Sequence, residues 1–227
     1  MTTRSRSEPP ASRETGLTKR SEEIVQVAGR RFAEQGYVAT STRDIASACD
    51  IKASSLYSHF SSKTRILLLL LEPLMSDLEA AQARALRRGH DGLDTLRQMI
   101  REVLAVSTAY ADEMTILHYS WPQIREEADL VPVVAAAAGI FATWRRVIEA
   151  GIAEGSIRMD VDSATAARMI TGALQSVADD RRYQDRMSIL DERGFEKGLH
   201  DFEAILVRGL WPDESGASSP PLESKTR

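Results

Sequence analysis

Apolar residues recur three or four positions apart along most of the chain, and no stretch alternates apolar and polar side chains as a strand would. The first apolar stripe follows Thr18 and ends shortly before Gly36, a residue that suits a helix stop. It consists of Ile24, Val27, Ala28 and Phe32. The pattern predicts an all-α protein with about nine helices.

Two short helices joined by a tight turn are predicted next. Ser41 precedes Asp44 by three residues, which is the spacing of a capping box at a helix N-terminus. The helix that begins there ends at Asp50, a residue type that tolerates the left-handed conformation of a sharp turn. The next helix runs from Lys52 to about His59. Because a longer helix precedes this pair, the arrangement describes a helix-turn-helix.

The last of these helices carries short polar side chains. A recognition helix exposes such side chains to base edges in the major groove, and Ser54, Ser55 and Ser58 suit that role. Larger polar side chains are expected to reach phosphate oxygens, which set the register on DNA. These are Tyr57, His59 and Lys63. Taken alone, the helix fits a solvated serine-rich surface equally well.

The charge of the chain is uneven. Residues 1–65 carry 11 basic and 7 acidic side chains, whereas the remainder carries 18 and 26. A basic head on an acidic body favours a polyanion as the partner of the head, with chance clustering as the alternative.

Other features of the sequence narrow the class of protein. The single cysteine, Cys49, excludes an intrachain disulfide and suits a reducing cytoplasm. The N-terminus has no apolar stretch of a secretory signal, and the longest aliphatic run, Ile66–Leu71, is far shorter than the roughly 20 residues of a membrane span. The histidines lack the spacing of a zinc site. We therefore expect a cytoplasmic protein without membrane attachment, metal or cofactor.

The head resembles the TetR family of bacterial repressors. The family pattern has Gly-Tyr, Thr-Ser/Thr, Ile-Ala, a turn, and then Leu-Tyr-x-His-Phe-x-Ser/Thr-Lys. The matching positions are Gly36, Tyr37, Thr40, Ser41, Ile45, Ala46, Leu56, Tyr57, His59, Phe60, Ser62 and Lys63. The resemblance covers about 50 residues, from Thr18 to Leu67, and implies a DNA-binding head followed by a larger helical domain.

The resemblance also implies which residues contact DNA. Asp50 and Ala53 depart from the glycine and lysine that are usual in the family, and Lys52 stands next to the missing lysine. The expected contacts are Thr42, Arg43, Lys52, Ala53, Ser54, Ser55, Tyr57, Ser58, His59 and Lys63.

Four regions follow from these patterns. Residues 1–17 and 213–227 are rich in Ser, Pro, Arg and Gly and are predicted to be a disordered arm and tail. The resemblance implies that residues 18–65 form the helix-turn-helix domain and that residues 66–212 form the helical ligand-binding and dimerisation domain. Pro73 lies inside the first long helix of the body and predicts a kink or break between Leu69 and Glu72.

The body contains a cluster of aromatic and methionine side chains in its middle helices. Such side chains with a few polar tips suit a mostly apolar pocket, although they also suit an ordinary core. The pocket candidates are Tyr110, Met114, His118, Tyr119, Trp121, Phe141 and Trp144. The short stretch Gly151–Asp162 is similar to family members that sense acyl-CoA thioesters or steroid-derived compounds, and is too short to assign a ligand.

The last two predicted helices carry wide apolar stripes. In the TetR family these helices pair with those of a second subunit, and a purely intrachain core is the alternative. The expected interface residues are Met169, Ala173, Leu174, Val177, Phe202, Ile205 and Leu206. A homodimer also matches the two-fold symmetry of DNA half-sites.

These features together predict a homodimeric transcriptional regulator, with a small and largely apolar ligand that releases it from a palindromic operator. A helical protein-interaction module and a ligand-independent regulator are the alternatives. An enzyme is disfavoured, because Cys49 lies in the turn of the DNA motif and the adjacent carboxylates, such as Glu126 and Glu127, point to different helix faces.

Overall fold

The computed structural model describes residues 17–187 and 209–210. Every regular element within those residues is helical, which confirms the all-α prediction. A short 3-10 turn, Ala128–Leu130, precedes the eighth α-helix. The helices are α1 (Lys19–Gln35), α2 (Thr42–Ala48), α3 (Ala53–His59), α4 (Lys63–Arg88), α5 (Gly92–Ala109), α6 (Ala111–Tyr119), α7 (Trp121–Ile124), α8 (Val131–Glu154) and α9 (Ser163–Met187).

The head comprises α1 to α3 and the first turns of α4. The Thr18 hydroxyl caps α1 by accepting from the Ser21 amide, and Gly36 ends it with a φ of 89° that favours glycine. Ser41 and Asp44 form the predicted capping box of α2. The apolar faces of these helices meet in a common core that includes Ile24, Phe32, Ile45, Leu56, Phe60 and Ile66.

Helix α4 connects the head to the body without interruption, so of the kink or break predicted at Pro73 the break is wrong. An interior proline removes one backbone hydrogen bond. Here buried side chains on both sides of the proline, such as Leu70, Leu71 and Leu74, pack against other helices and offset that loss. The predicted domain boundary between residues 65 and 66 consequently falls inside one continuous helix.

The body is a helical bundle in which α4, α5, α8 and α9 pack against one another. Helix α6 contacts both α9 and α1, and therefore links the body to the head. Trp144 of α8 is completely buried, and the buried Gln82 side chain of α4 donates to the Ile140 carbonyl of α8. After α9 the described chain resumes at residue 209, where the Leu210 carbonyl accepts from the Arg158 amide.

Some predictions concern residues outside the described part. They are most of the predicted arm, the predicted tail, and the last predicted helix with Phe202, Ile205 and Leu206. Helix α8 carries Pro132 in its first turn, where a proline costs no backbone hydrogen bond.

Candidate functional site

The turn between α2 and α3 is held from behind by α1. Asp50 has a φ of 54°, the left-handed conformation expected for a sharp turn at this residue. The Arg20 guanidinium of α1 donates a 2.7 Å hydrogen bond to the Cys49 carbonyl oxygen, and the Ile51 amide donates to the Ala46 carbonyl. These bonds fix the angle at which α3 leaves α2.

The Cys49 side chain is buried beneath this turn. Burial raises the pKa of its thiol, so the sulfur remains protonated at neutral pH. A protonated, buried thiol is a poor nucleophile, and Cys49 is therefore part of the packing of the head.

Helix α3 presents polar side chains to solvent on one face and buries Leu56 on the other. The Ser58 hydroxyl donates to the Ser55 carbonyl oxygen at 2.7 Å, which leaves its lone pairs directed outward. Ala53 is half-buried, because it faces α2. The exposed residues on the outer face are Lys52, Ser54, Ser55, Tyr57 and Ser58.

Tyr57 joins this face to the N-terminus of α2. Its hydroxyl lies 3.2 Å from the Thr42 hydroxyl, and 57% of the side chain is exposed. Arg43 is also exposed and, with Lys52, lines a surface groove of about 490 Å³ between α2 and α3. Two hydroxyls and two cations thus stand on the same side of the head.

Lys63, which is half-buried, and His59, which is exposed, both bond to other parts of the head. The Lys63 ammonium donates to the Tyr37 carbonyl at 2.7 Å and the Thr40 carbonyl at 2.9 Å, and it stands 4.2 Å from the centre of the Tyr37 ring. Burial lowers the pKa of Lys63. The His59 Nδ1 atom lies 3.1 Å from the Ser21 hydroxyl of α1. Both side chains therefore brace α3 and α4 against their neighbours.

Sequence reasoning missed the supports behind the recognition helix. The turn is held by Arg20, the His59 ring by Ser21, and the Lys63 ammonium by the carbonyl of Tyr37. Of these three supporting residues, only Tyr37 belongs to the family pattern. The spacing of apolar residues gives no signal for such contacts, because they join polar groups that lie far apart in sequence.

A second candidate site is a cavity of about 200 Å³ in the body. Five helices surround it, and its wall is apolar apart from two hydroxyls. The lining residues are Met75 and Leu78 of α4, Val103 and Ser107 of α5, Met114 and Leu117 of α6, Ala137, Ile140, Phe141 and Trp144 of α8, and Thr171 and Leu174 of α9.

The cavity contains three of the seven predicted pocket residues, namely Met114, Phe141 and Trp144. The other four lie elsewhere, because α6 turns only one of its faces inward. Tyr110 donates from its hydroxyl to Asp77 at 2.8 Å, and Trp121 is half-buried at the start of α7. His118 and Tyr119 are exposed and stack edge to face on the surface of the body.

The carboxylate of Asp179 ties α9 to α6. It accepts from the hydroxyls of Thr115 at 3.0 Å and Tyr119 at 3.3 Å, and from the Gln175 amide at 3.1 Å. Because α6 also packs on α1, these bonds lie on a continuous route from α9 to the head.

The predicted dimer residues of α9 divide between two faces. Met169 is 66% exposed, and Ala173 and Val177 are half-buried. Leu174, in contrast, is 2% exposed and lines the cavity, so its assignment to an outer seam is wrong. One turn of helix separates Ile170 from Leu174, and both point inward.

Helix α8 carries apolar residues on its exposed face as well as on its buried face. The stretch Ala128–Glu154 is long and apolar enough to cross a membrane by length and composition, and 28% of its most apolar window is buried. One helix of this kind is weak evidence for a membrane span, because core helices have the same composition. Its exposed face carries small residues, including Ala135, Ala138, Gly139 and Ala142.

Metal-binding side chains are not grouped in the described part of the chain. No cluster of three or more His, Cys, Asp or Glu residues there is arranged to hold a metal ion.

Two known families match separate parts of the chain. Residues 24–70 match the family described as "Bacterial regulatory proteins, tetR family". Residues 89–179 match the family described as "Tetracyclin repressor-like, C-terminal domain". The first match contains the helix-turn-helix, and the second contains most of the cavity wall.

Individual relatives are transcriptional repressors. The HTH-type transcriptional repressor KstR2 of Rhodococcus jostii (strain RHA1) is 29% identical over 162 residues, which are 71% of this chain and 79% of the relative. The fold is similar to that of the ketosteroid transcriptional regulator KstR2 of Mycobacterium tuberculosis, with a TM-score of 0.75, 22% identity, and coverage of 88% of this chain and 100% of that one. It is also similar to AibR in complex with isovaleryl coenzyme A and operator DNA, with a TM-score of 0.64, 19% identity, and coverage of 86% and 99%.

Proposed function

We propose, from the premise that the chain belongs to the TetR family of bacterial transcriptional regulators, that it is a homodimeric repressor which a small, largely apolar ligand releases from a palindromic operator. The coarser part of this statement is established by the comparisons: the chain is a TetR-family transcriptional repressor with a ligand-binding C-terminal domain, and not an enzyme. What we propose beyond this is that the chain binds a palindromic operator as a homodimer and that its ligand is small and largely apolar.

The exposure of polar side chains on the outer face of α3 is the observation that best supports DNA binding. Its exposed side chains are short and polar apart from Lys52 and Tyr57, so they fit against base edges without steric conflict. We assign base readout to Lys52, Ser54 and Ser55. The chain's cytoplasmic location belongs to the same proposal, since the operator lies there.

Phosphate contacts are assigned to side chains that flank this face. These side chains are positioned to reach phosphate oxygens on either side of the DNA major groove. They are Thr42, Arg43, Tyr57 and Ser58. Lys63 and His59, which are bonded to the head's own backbone and to Ser21, act by holding α3 in its orientation. Ala53 contributes by its small size, because it lets the start of α3 approach the bases closely.

Exposed apolar surfaces of α8 and α9 support dimerisation. Met169 and the glycine at position 172 lie on the outer face of α9, and an added Cβ at that glycine would meet no atom within 4 Å. Small residues on α8, such as Ala138 and Gly139, allow close approach of another helix. A two-fold dimer through these helices would orient two α3 helices symmetrically toward DNA.

The cavity in the body supports the ligand part of the proposal. Its wall belongs to α4, α5, α6, α8 and α9, so it includes the helix that continues into the head and the helix that packs on α1. A ligand that favours one arrangement of α4 and α6 therefore changes the spacing of the two heads. By linkage, operator DNA must weaken ligand binding by the same factor that the ligand weakens DNA binding.

Selection of bound fragments from the genome of the source organism tests this function. The wild-type chain should enrich a two-fold symmetric sequence, and its affinity for that sequence should fall linearly with the logarithm of salt concentration. Lys52→Ala should relax the preference at one or two base pairs of each half-site, whereas Glu126→Ala, an exposed change in the body, should leave it unaltered. The absence of any enriched sequence would contradict the proposal.

A further inference from the structure

The wall of the body cavity contains a buried hydroxyl group without a partner. Ser107 of α5 is 0% exposed, and its Oγ atom makes no hydrogen bond to any residue that the structure describes. A serine inside a helix commonly donates to a carbonyl one turn earlier. Four threonines in the body do this: Thr95, Thr108, Thr143 and Thr171 donate to the carbonyls of Asp91, Leu104, Gly139 and Ala167. Ser107 is the exception, and it faces the cavity.

An unsatisfied buried hydroxyl is costly, and natural proteins retain few of them. The other hydroxyl in the wall, that of Thr171, already donates to its own helix and retains only lone pairs. The remaining lining side chains are aliphatic, aromatic or methionine. The Ser107 hydroxyl is paired neither with the lone pairs of Thr171 nor with a backbone carbonyl, so its hydrogen is available to an acceptor on a ligand.

We propose that Ser107 is the polar anchor of the ligand site, and that the ligand is a compact apolar ring compound bearing one carbonyl or hydroxyl oxygen that accepts a hydrogen bond from Ser107 Oγ. This inference rests on the proposed ligand-binding function and specifies its chemistry. The apolar part of the ligand contacts Met114, Phe141 and Trp144, and the oxygen lies toward α5.

The volume of the cavity, which is partly open to solvent, gives a lower limit for the size of ligand that it admits. An engineered cavity of about 150 Å³ binds benzene, so the 200 Å³ here admits a ring system somewhat larger than one benzene ring. A water molecule is a weaker occupant, because a buried water typically makes about three hydrogen bonds. This wall offers it two hydroxyls.

A matched pair of probes tests the anchor. Indane and 1-indanone have the same bicyclic skeleton, and only 1-indanone carries an acceptor oxygen. Isothermal titration calorimetry measures the affinity of each probe for the full-length wild type, for Ser107→Ala, and for Thr108→Ala. Thr108 is the next residue of α5 and donates to its own helix, so it serves as the control.

We expect both probes to bind the wild type. Ser107→Ala should weaken 1-indanone about fivefold or more, because its carbonyl is then buried without a donor, and should leave indane within about twofold. Thr108→Ala should leave the affinity of each probe unchanged. Ser107→Ala should also unfold at the wild-type temperature or higher without ligand, since it removes an unsatisfied group.

Two results would overturn the inference in different ways. If both probes bind but Ser107→Ala weakens neither, Ser107 is not the anchor, while the cavity remains the ligand site of the proposed function. If neither probe binds the wild type up to its solubility limit, the cavity is not a site for compact ring compounds, and the ligand part of the proposed function fails with the anchor. Operator affinity measured on the same preparations reports the DNA-binding part separately.

Discussion

Lys63 is bonded within the head, and we expect it to stabilise the proposed DNA-binding surface without contacting DNA itself. Its ammonium group donates to two carbonyls in the segment between α1 and α2, while the residue itself begins α4. Hydrogen bonds from charged donors contribute about 1.5–3 kcal/mol each. The residue therefore fixes the junction of three helices from which α3 projects.

Lys63→Met separates this role from the phosphate contact that the sequence predicts. The change retains an apolar side chain of similar length but leaves two carbonyls without their donor. We expect the free energy of unfolding, measured by urea denaturation, to fall by about 1–3 kcal/mol. The slope of log affinity for operator against log salt concentration should equal that of the wild type.

Arg65→Met, an exposed change two residues along α4, is the control for this measurement. It should preserve the stability of the wild type. A drop in the salt slope of Lys63→Met by about 1 would show that Lys63 binds a phosphate and would contradict the bracing role.

Residue-level chemistry was only partly predictable from sequence. Asp50 was expected to adopt the left-handed conformation, and it does so, because the residue type at a sharp turn is a local signal. The orientation of Lys63 and the exposure of Tyr119 depend on helices distant in the chain. The spacing of residues along one helix carries no information about those helices.

At the scale of elements, α6 is the helix in contact with both the head and α9. It carries a titratable group in its first turn, because burial raises the pKa of Glu113 to about 7 from an ordinary value of 4.5. Between these two pH values the folded chain retains a proton that the unfolded chain has released. The stability of the fold therefore decreases as the pH rises from about 4.5 to 7, and the loss persists above 7.

Glu113→Gln should remove this pH dependence. We expect the variant to be more stable than the wild type at pH 8 by an amount on the order of 1 kcal/mol, with the difference disappearing near pH 4.5. Urea denaturation across this pH range measures the effect, and Glu126→Gln, an exposed change, is the control. A difference of the same size at all pH values would show that Glu113 does not titrate in this window.

Substitution of two exposed methionines tests whether the outer face of α9 is the dimer interface. Met169 lies on that face and is 66% exposed, and Met159 lies in the preceding turn and is 87% exposed. A charge placed in an apolar interface is buried without a partner and costs several kcal/mol. Met169→Glu should therefore yield a folded monomer in sedimentation velocity, and Met159→Glu should remain a dimer. A stable Met169→Glu dimer would place the interface elsewhere.

Most elements of the described chain were predictable, because helical spacing, capping residues and glycine stops are local signals. The capping box at Ser41 and the stop at Gly36 occur where the sequence predicts them. Pro73 misled the prediction, since packing of Leu70 and Leu74 in the body keeps α4 continuous. Leu174 misled it for a related reason: an apolar stripe does not reveal whether it faces its own core or a partner.

At the scale of the whole molecule, one continuous helix and one contact between α1 and α6 join the DNA-binding head to the ligand-binding body. The head's operator face and the body's cavity therefore share structural elements. Under the proposed function, a change in the packing around the cavity would alter the position of α4, and with it the distance between the two recognition helices of the proposed dimer. This arrangement gives a small ligand a physical means of regulating DNA binding.

Stoichiometry and half-site spacing on the selected operator test the central claim most directly. Sedimentation of the protein with a duplex that contains the selected sequence should give two chains per duplex. The two half-sites should lie about 34–36 Å apart, one turn of DNA, or a multiple of this distance. Scrambling one half-site should weaken binding at least about 100-fold, because the second recognition helix loses its contacts. A single chain bound to one asymmetric site, with affinity unaffected by scrambling the neighbouring sequence, would contradict the account.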